Sequence, residues 1–411
     1  MKVTGIIAEY NPFHKGHAYH IQKAKELTGA DYIIVVMSGD FTQRGMPAIL
    51  DKYTRARMAL ACGADLVLEL PVRFACASAE FFAGGAVSLL DRLGVVDSLC
   101  FGSECGDAGL LQKAASVLAE AEASESFRNT LREGIRNGLS FPAARAKALE
   151  MQENGIGELF TLPNNILGIE YCKALLRLNS RILPHALLRK GCGYHDTDFS
   201  LLSDEEFPSA SGIRSLMKKS EGTVQSADLS RLIPSASLPG FLDSLKKGAW
   251  LSDSALDLPL HYKLLLESEE TLKMYPELSD ALIRRILKSR NQYEGFSQFA
   301  DLLKTRDITR SAICRSLVRI FLDQKTTAPG HIPYARVLGF QKNSAPLLSQ
   351  IKKNSSIPLI TKAADASAIL DETALRLFNE TCAASNLYEM LLCHKTGQPF
   401  IHEMKKPLRI I

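Results

Sequence analysis

Ile6-Ile7-Ala8-Glu9-Tyr10-Asn11-Pro12-Phe13-His14-Lys15-Gly16-His17-Ala18-Tyr19-His20 lies at the start of the chain and carries two structural instructions. The apolar run from Val3 to Ala8 reads as a buried strand of a parallel sheet. Pro12 has no backbone donor and disfavours helical backbone at Asn11, so the strand stops before it. After His14-Lys15-Gly16-His17, the residues Ile21, Ala24 and Leu27 fall on one helical face, with Lys23, Lys25 and Glu26 elsewhere. Two imidazoles and a lysine therefore sit where a strand turns into a helix, at the strand's carboxyl end. Open α/β sheets bind ligands there. The start of the helix offers free N–H groups and the positive end of its dipole to an anion. Gly16 lacks a Cβ, so a flat ligand can approach the backbone closely. One histidine in a loop is ordinarily a surface residue; two flanking a glycine at such a junction point to a site.

Further strands and helices alternate at the spacing of βαβ units. Tyr32–Met37 reads as a second strand, closed by Ser38-Gly39-Asp40. A polar, cationic loop follows (Phe41 to Pro47), and Asp51 is placed to cap a helix over 52–62. Ala64–Pro71 reads as a third strand, Phe81–Leu93 as a helix and Leu99–Phe101 as a fourth strand. Residues 107–155 form a polar helical elaboration. A new helix follows Pro163, with Asn164 or Asn165 as its cap; Asn165 is either that cap or a ligand contact. Arg181–Arg189 is a fifth strand, and Lys190 to Asp196 a second ligand-like loop. Pro208-Ser209-Ala210-Ser211-Gly212-Ile213-Arg214 then opens a helix ending near Lys219. Small hydroxyl residues at a helix start, with Arg one turn on, either cap the helix or make an anion site. The fold class expected is α/β: a Rossmann-like doubly wound parallel sheet over 1–222, a basic helical domain over 240–328 and a small α/β C-terminal appendage over 330–411.

The helical segment is basic. From Arg284 to Lys325 it has ten Lys/Arg against four acids, and Arg315 and Arg319 stand one turn apart. Such a stripe is either a solvated face or the footprint of a phosphate backbone. Arg284, Arg285, Lys304, Arg306, Arg310, Arg315 and Arg319 are the candidate nucleic-acid contacts.

Bulk properties exclude several classes. The 411 residues are 46% hydrophobic and 23% charged, with net charge +4, an ordinary globular composition with length for two or three domains. No stretch is long and apolar enough to span a membrane, and no cleavage signal is seen, so a cytoplasmic location is expected. The nine cysteines lack ligand spacing and read as reduced thiols, implying no structural metal. No Gly-Lys phosphate loop and no complete GxGxxG occur, which weakens kinase, GTPase and dehydrogenase readings.

His14-Lys15-Gly16-His17 resembles the HxGH motif of the nucleotidyltransferase superfamily, and Ser209–Arg214 its second, ISSTxIR-type signature. Ser211 keeps the hydroxyl where Thr is usual; Ala210 replaces a second Ser, so one phosphate contact is missing. Together with Met37-Ser38-Gly39-Asp40-Phe41, Gln43-Arg44-Gly45, Phe101-Gly102-Ser103-Glu104, Pro163-Asn164-Asn165-Ile166-Leu167-Gly168 and Gly193-Tyr194-His195-Asp196, these motifs resemble the bacterial tRNA(Met) cytidine acetate ligase family. The resemblance implies ATP, with Mg²⁺, acetate and elongator tRNA(Met) as substrates. Acetyl-adenylate would form, and its acetyl group would pass to N4 of the wobble cytidine. It also implies that His14 and His17 meet the phosphates. Residues from Ile7 to His20, with Gly102, Asn165, Arg189 and Lys190, would form the ATP site, and Ser209, Ser211 and Arg214 would clamp pyrophosphate. Asp40, Gln43, Arg44 and Lys52 are weaker candidates for acetate or tRNA. An adenylyltransferase acting on a small phosphorylated metabolite, or a non-catalytic tRNA-binding protein, are the rival readings.

Overall fold

The computed structural model describes residues 1–189, 207–325 and 330–411. Lys190 and Gly193-Tyr194-His195-Asp196 lie outside the described residues.

Period-two apolar patterning builds the central sheet. β1 (Val3–Ala8) lies parallel to β2 (Tyr32–Ser38), with Val3 opposite Tyr32 and Ala8 opposite Met37. Successive side chains of β2 enter opposite layers: Ile34 and Val36 join the core on one face, and Ile33, Val35 and Met37 the core on the other. β3 (Phe41–Thr42) and β4 (Met46–Pro47) form a short antiparallel hairpin. β5 (Leu66–Leu70) pairs in parallel with β2. The chain then crosses over: β6 (Ser98–Ser103) pairs with the other edge of β1, and β7 (Leu183–Leu188) with β6, both in parallel. This reversal makes a topological switch point between β1 and β6, the crevice where such sheets bind ligands.

The C-terminal segment differs from the expected appendage. β8 (Ala335–Phe340) joins β5 antiparallel, and β9 (Leu359–Ile360) and β10 (Arg409–Ile410) pair with β8. The sheet order is β10-β8-β5-β2-β1-β6-β7. Arg336 disguised β8 in the sequence, because a charge in the middle of a strand interrupts the apolar run. Its guanidinium is satisfied inside the protein, 3.0 Å from Glu69 and 2.6 Å from Glu403. The same segment carries a helix over Glu372–Thr396, whose Ala384, Tyr388 and Leu391 pack in the core of the helical region.

That helical region contains helices over Asp257–Leu266, Asp280–Ser289, Phe296–Leu303 and Arg310–Phe321. The β3–β4 hairpin plugs into it. Phe41 belongs to its core, and Gly45 has φ 71° with Arg315 against it. A Cβ at Gly45 would lie 2.1 Å from the Arg315 amide nitrogen, so this approach requires glycine.

Two helices frame the site. α1 (Lys15–Thr28) follows β1, and α2 (Lys52–Ala61) is capped by the Asp51 carboxylate, which accepts from the Tyr53 and Thr54 amides. From α2, the buried Arg55 donates to the carbonyls of Glu9 (2.6 Å), Ser38 (3.0 Å) and Gly39. One guanidinium thereby ties the carboxyl ends of β1 and β2 together and satisfies carbonyls that the ladder leaves unpaired.

Candidate active site

At the switch point lies a cavity of about 270 Å³, floored by Ile7, Ala8, Glu9, Tyr10 and Asn11 at the end of β1. His14, Gly16, His17, Tyr19 and His20 form one wall and Gly102, Asn164 and Arg189 another. Gln43 and Arg44 line it from the hairpin, and Ser209, Ser211 and Arg214 close the remaining side.

The two motif histidines build the start of α1. His14 is the N-cap, and its Nδ1 accepts from the Gly16 amide at 3.1 Å. His17, three residues on, accepts at Nδ1 from the His14 amide at 3.3 Å. This is a capping box made of imidazoles in place of the usual Ser/Thr and Glu/Gln. It has a chemical consequence. A ring nitrogen that accepts a hydrogen bond carries no proton, so in both neutral rings the proton resides on Nε2. Both rings line the cavity, tilted against each other with centroids 3.7 Å apart. Burial, with the neighbouring charges of Arg189 and Arg214, pushes His14 down to about 3. Burial and the adjacent His14 and His20 hold His17 well below the ordinary imidazole value. The pair therefore offers two neutral N–H donors beside a helix N-terminus, an arrangement for oxygens that become more negative as a reaction proceeds. A Cβ on Gly16 would stand 2.9 Å from His14 Cε1, so any side chain there would disturb the cap.

The far side repeats the pattern. Ser209 caps the Ala210–Lys219 helix by accepting from the Gly212 amide, and its hydroxyl lies 3.2 Å from that of Ser211. Arg214 donates to the Asn11 carbonyl at 2.6 Å, locking this helix onto the β1 loop. Burial and the nearby Arg44 lower its guanidinium to about 10. Three arginines and two helix starts make the cavity a receptor for a polyanion.

Several sequence expectations are corrected. Asn165 does not line the cavity: its Oδ1 accepts from the Glu104 and Cys105 amides at 3.0 and 3.1 Å, and the side chain is buried. Asn164 lines the cavity in its place and accepts from Arg189 at 3.0 Å. Neither caps its own helix; the Glu104 carboxylate does, accepting from the Asn164 and Asn165 amides. Lys52 is wholly buried, with Nζ 2.6 Å from Glu69 and 2.7 Å from Glu403, so it meets neither acetate nor tRNA. Asp40 is buried and accepts from the Lys52 amide. Within the opening stretch, Pro12, Phe13, Lys15 and Ala18 are not among the lining residues, and Phe13 is a core residue. The basic residues do not form one stripe. Arg284, Lys304 and Arg306 are exposed. Arg285 donates to the Leu303 carbonyl, Arg310 pairs with Asp301 and Arg315 donates to the Gln43 carbonyl. Arg319 is buried and pairs with Glu277 at 2.9 Å. The sequence reading missed the apolar lining of Phe82, Phe101, Leu167, Tyr171 and Phe207. Their only signal was the general tendency of ligand pockets to be apolar.

Switch-point cavity, imidazole pair and double helix-start cradle define a nucleotidyltransferase, and the family model for HIGH Nucleotidyl Transferase matches residues 1–400. Among curated relatives, the tRNA(Met) cytidine acetate ligase of Clostridium kluyveri is 42% identical over 378 residues, 88% of this chain and 90% of that protein. The protein of the same name from Acetivibrio thermocellus is 38% identical over 405 residues, 96% of each chain. Thermotoga maritima TmcAL bound with alpha-thio ATP superposes with a TM-score of 0.87 at 30% identity, all of both chains being covered. Its apo form gives 0.89. The chain belongs to the tRNA(Met) cytidine acetate ligase family.

Proposed function

We propose that this protein is an ATP-dependent acetate ligase acting in the cytoplasm on elongator tRNA(Met). The acetate carboxylate attacks the α-phosphorus of ATP, the bond to the bridging oxygen breaks and pyrophosphate leaves. The amino group of the wobble cytidine then attacks the acetyl carbon, giving N4-acetylcytidine and AMP. The observation that carries this reading is the pair of Nε2–H donors fixed by the imidazole capping box. Charge grows on the phosphate oxygens during displacement, and a preorganised donor of this kind contributes about 3–4 kcal/mol. His14 and His17 would meet the α-phosphate and the departing pyrophosphate, while Ser209, Ser211 and Arg214 would hold its far end. Gly102, Asn164 and Arg189 would border the nucleoside. A Cβ at Gly102 would press on Arg189 Cγ at 3.3 Å, which favours glycine there. The names of the curated relatives and the ATP analogue bound by the Thermotoga protein support the same substrates.

Mg²⁺ usually keeps several waters and binds substrate phosphates with one or two carboxylates. Among the described lining residues Glu9 is the one carboxylate, and no group of three metal-ligating side chains occurs among the described residues. That donor set fits an ion held mainly by the triphosphate, which would neutralise its charge. Of the basic residues, exposed Arg284, Lys304 and Arg306 would contact tRNA phosphates. No helix among the described residues is long and apolar enough to cross a membrane.

Exchange of labelled pyrophosphate into ATP tests the first half-reaction. Dependence on acetate is expected. Dependence on a phosphorylated metabolite would establish the adenylyltransferase alternative, and no exchange at all would leave only a tRNA-binding protein.

A further inference from the structure

We infer that Glu9 is the general base of the acetyl transfer, taking the proton from N4 of the cytidine as it attacks. The inference rests on the function proposed above and starts from a chemical need. When the amine attacks acetyl-adenylate, the N4–C bond forms and nitrogen becomes positively charged. The C–O bond to the phosphate then breaks, AMP leaves carrying the negative charge, and one N4 proton must go to an acceptor. Once acylated, such a nitrogen is strongly acidic, so a carboxylate suffices if it is within reach.

The cavity offers few acceptors. His14 and His17 have spent their Nδ1 lone pairs on the cap, and their Nε2 atoms are donors. The Nε2 of His20 is sealed from solvent. Tyr10 and Tyr171 are phenols whose ionisation burial opposes. The arginines have no lone pair to offer. Glu9 is the one carboxylate among the described lining residues.

Its position fits the role. Glu9 follows directly on β1, next to the imidazole wall, and its Oε1 accepts from the Gln43 amide at 2.6 Å. That bond orients the carboxyl group toward the hairpin. The carbonyl of the same Gln43 accepts from Arg315 of the basic helical region at 3.4 Å. Glu9 thus stands where the cavity floor meets the hairpin that the basic helical region holds.

Glu9→Gln tests this, because the amide oxygen can still accept from Gln43 while the base is lost. Two rates are compared in the full-length protein: acetate-dependent pyrophosphate exchange, which reports adenylation, and N4-acetylcytidine formation on elongator tRNA(Met). The expected result is a fall in the ratio of transfer to exchange on the order of 100-fold. Trapping by hydroxylamine, a stronger nucleophile that needs no protein base, should follow exchange and not transfer. Glu9→Asp, which retains a carboxylate, should recover part of the transfer. Equal loss of both rates would overturn the inference and assign Glu9 to adenylation or to the ATP-bound cation; an unchanged ratio would overturn it as well. Failure of the underlying function is seen separately, as a wild-type protein without acetate-dependent exchange.

Discussion

Replacing His14 by Asn separates two roles that one imidazole performs. Asn is among the best N-cap residues and can accept from the Gly16 amide as His14 Nδ1 does. It cannot reproduce the Nε2–H aimed into the cavity. His14→Asn should therefore keep α1 intact, with unfolding within about 0.5 kcal/mol of wild type. The rate of acetate-dependent pyrophosphate exchange at saturating ATP should fall by 10²–10³, about 3–4 kcal/mol, because the lost donor acts mainly on the charge of the transition state. His14→Ala should lose the same rate and in addition about 1 kcal/mol of stability with the cap. Exchange kinetics and urea unfolding measure the two effects independently. If His14→Asn exchanges within about threefold of wild type, the imidazole is only a cap and the catalytic assignment is wrong.

Other outcomes follow from the same geometry. His14 titrates near 3 and His20 near 4 in the folded protein, against about 6.5 unfolded. The unfolded chain thus binds more protons below about 6.5, so stability falls as pH drops from 6.5 toward 3, by up to about 1.4 kcal/mol per pH unit for each histidine. Unfolding measured between those limits should show that slope, and its absence in the wild type would contradict the buried neutral state. Glu403 is pushed up by burial but held at about 2 by Lys52 and Arg336. Glu403→Gln leaves two buried cations facing Glu69 and should cost about 3–5 kcal/mol in urea unfolding. A loss below about 1 kcal/mol would show the network to be weakly coupled. Asn165→Ala strands two amide donors, at about 1–3 kcal/mol each, and should appear in stability. Asn164→Ala should appear in the KM for ATP instead; the reverse pattern would refute the exchange of roles. Removing Arg284, Lys304 and Arg306 together should weaken tRNA binding and reduce its salt slope by about 2–3. An unchanged slope would move the RNA surface elsewhere.

Much of this protein was legible in its sequence where one residue's chemistry decided a local structure. Asp51 announced the helix it caps. The run from Val3 to Ala8 announced β1, and the His-Gly-His spacing announced a helix start at the wall of the cavity. The misreadings came where distant residues decide. Arg336 looked foreign to a strand because its partners, Glu69 and Glu403, are far away in the chain. Lys52 looked like a ligand for an anion and does bind anions, but they are the buried carboxylates of its own fold. Asn164 and Asn165 are neighbours of the same type; only the position of Glu104 and its following amides decides which one faces the cavity. Arg315 and Arg319 share a face, as their spacing required, but that face packs against Gln43 and Glu277.

Activation of acetate by the imidazole pair for transfer to RNA can be followed in one experiment: the protein is incubated with ATP, radiolabelled acetate and elongator tRNA(Met), and the RNA is digested to nucleosides. Label is expected in N4-acetylcytidine from the wobble position, dependent on ATP and abolished by His17→Ala. Label that reaches the tRNA without ATP, or no label in the RNA while the protein is folded and binds ATP, would contradict that activation.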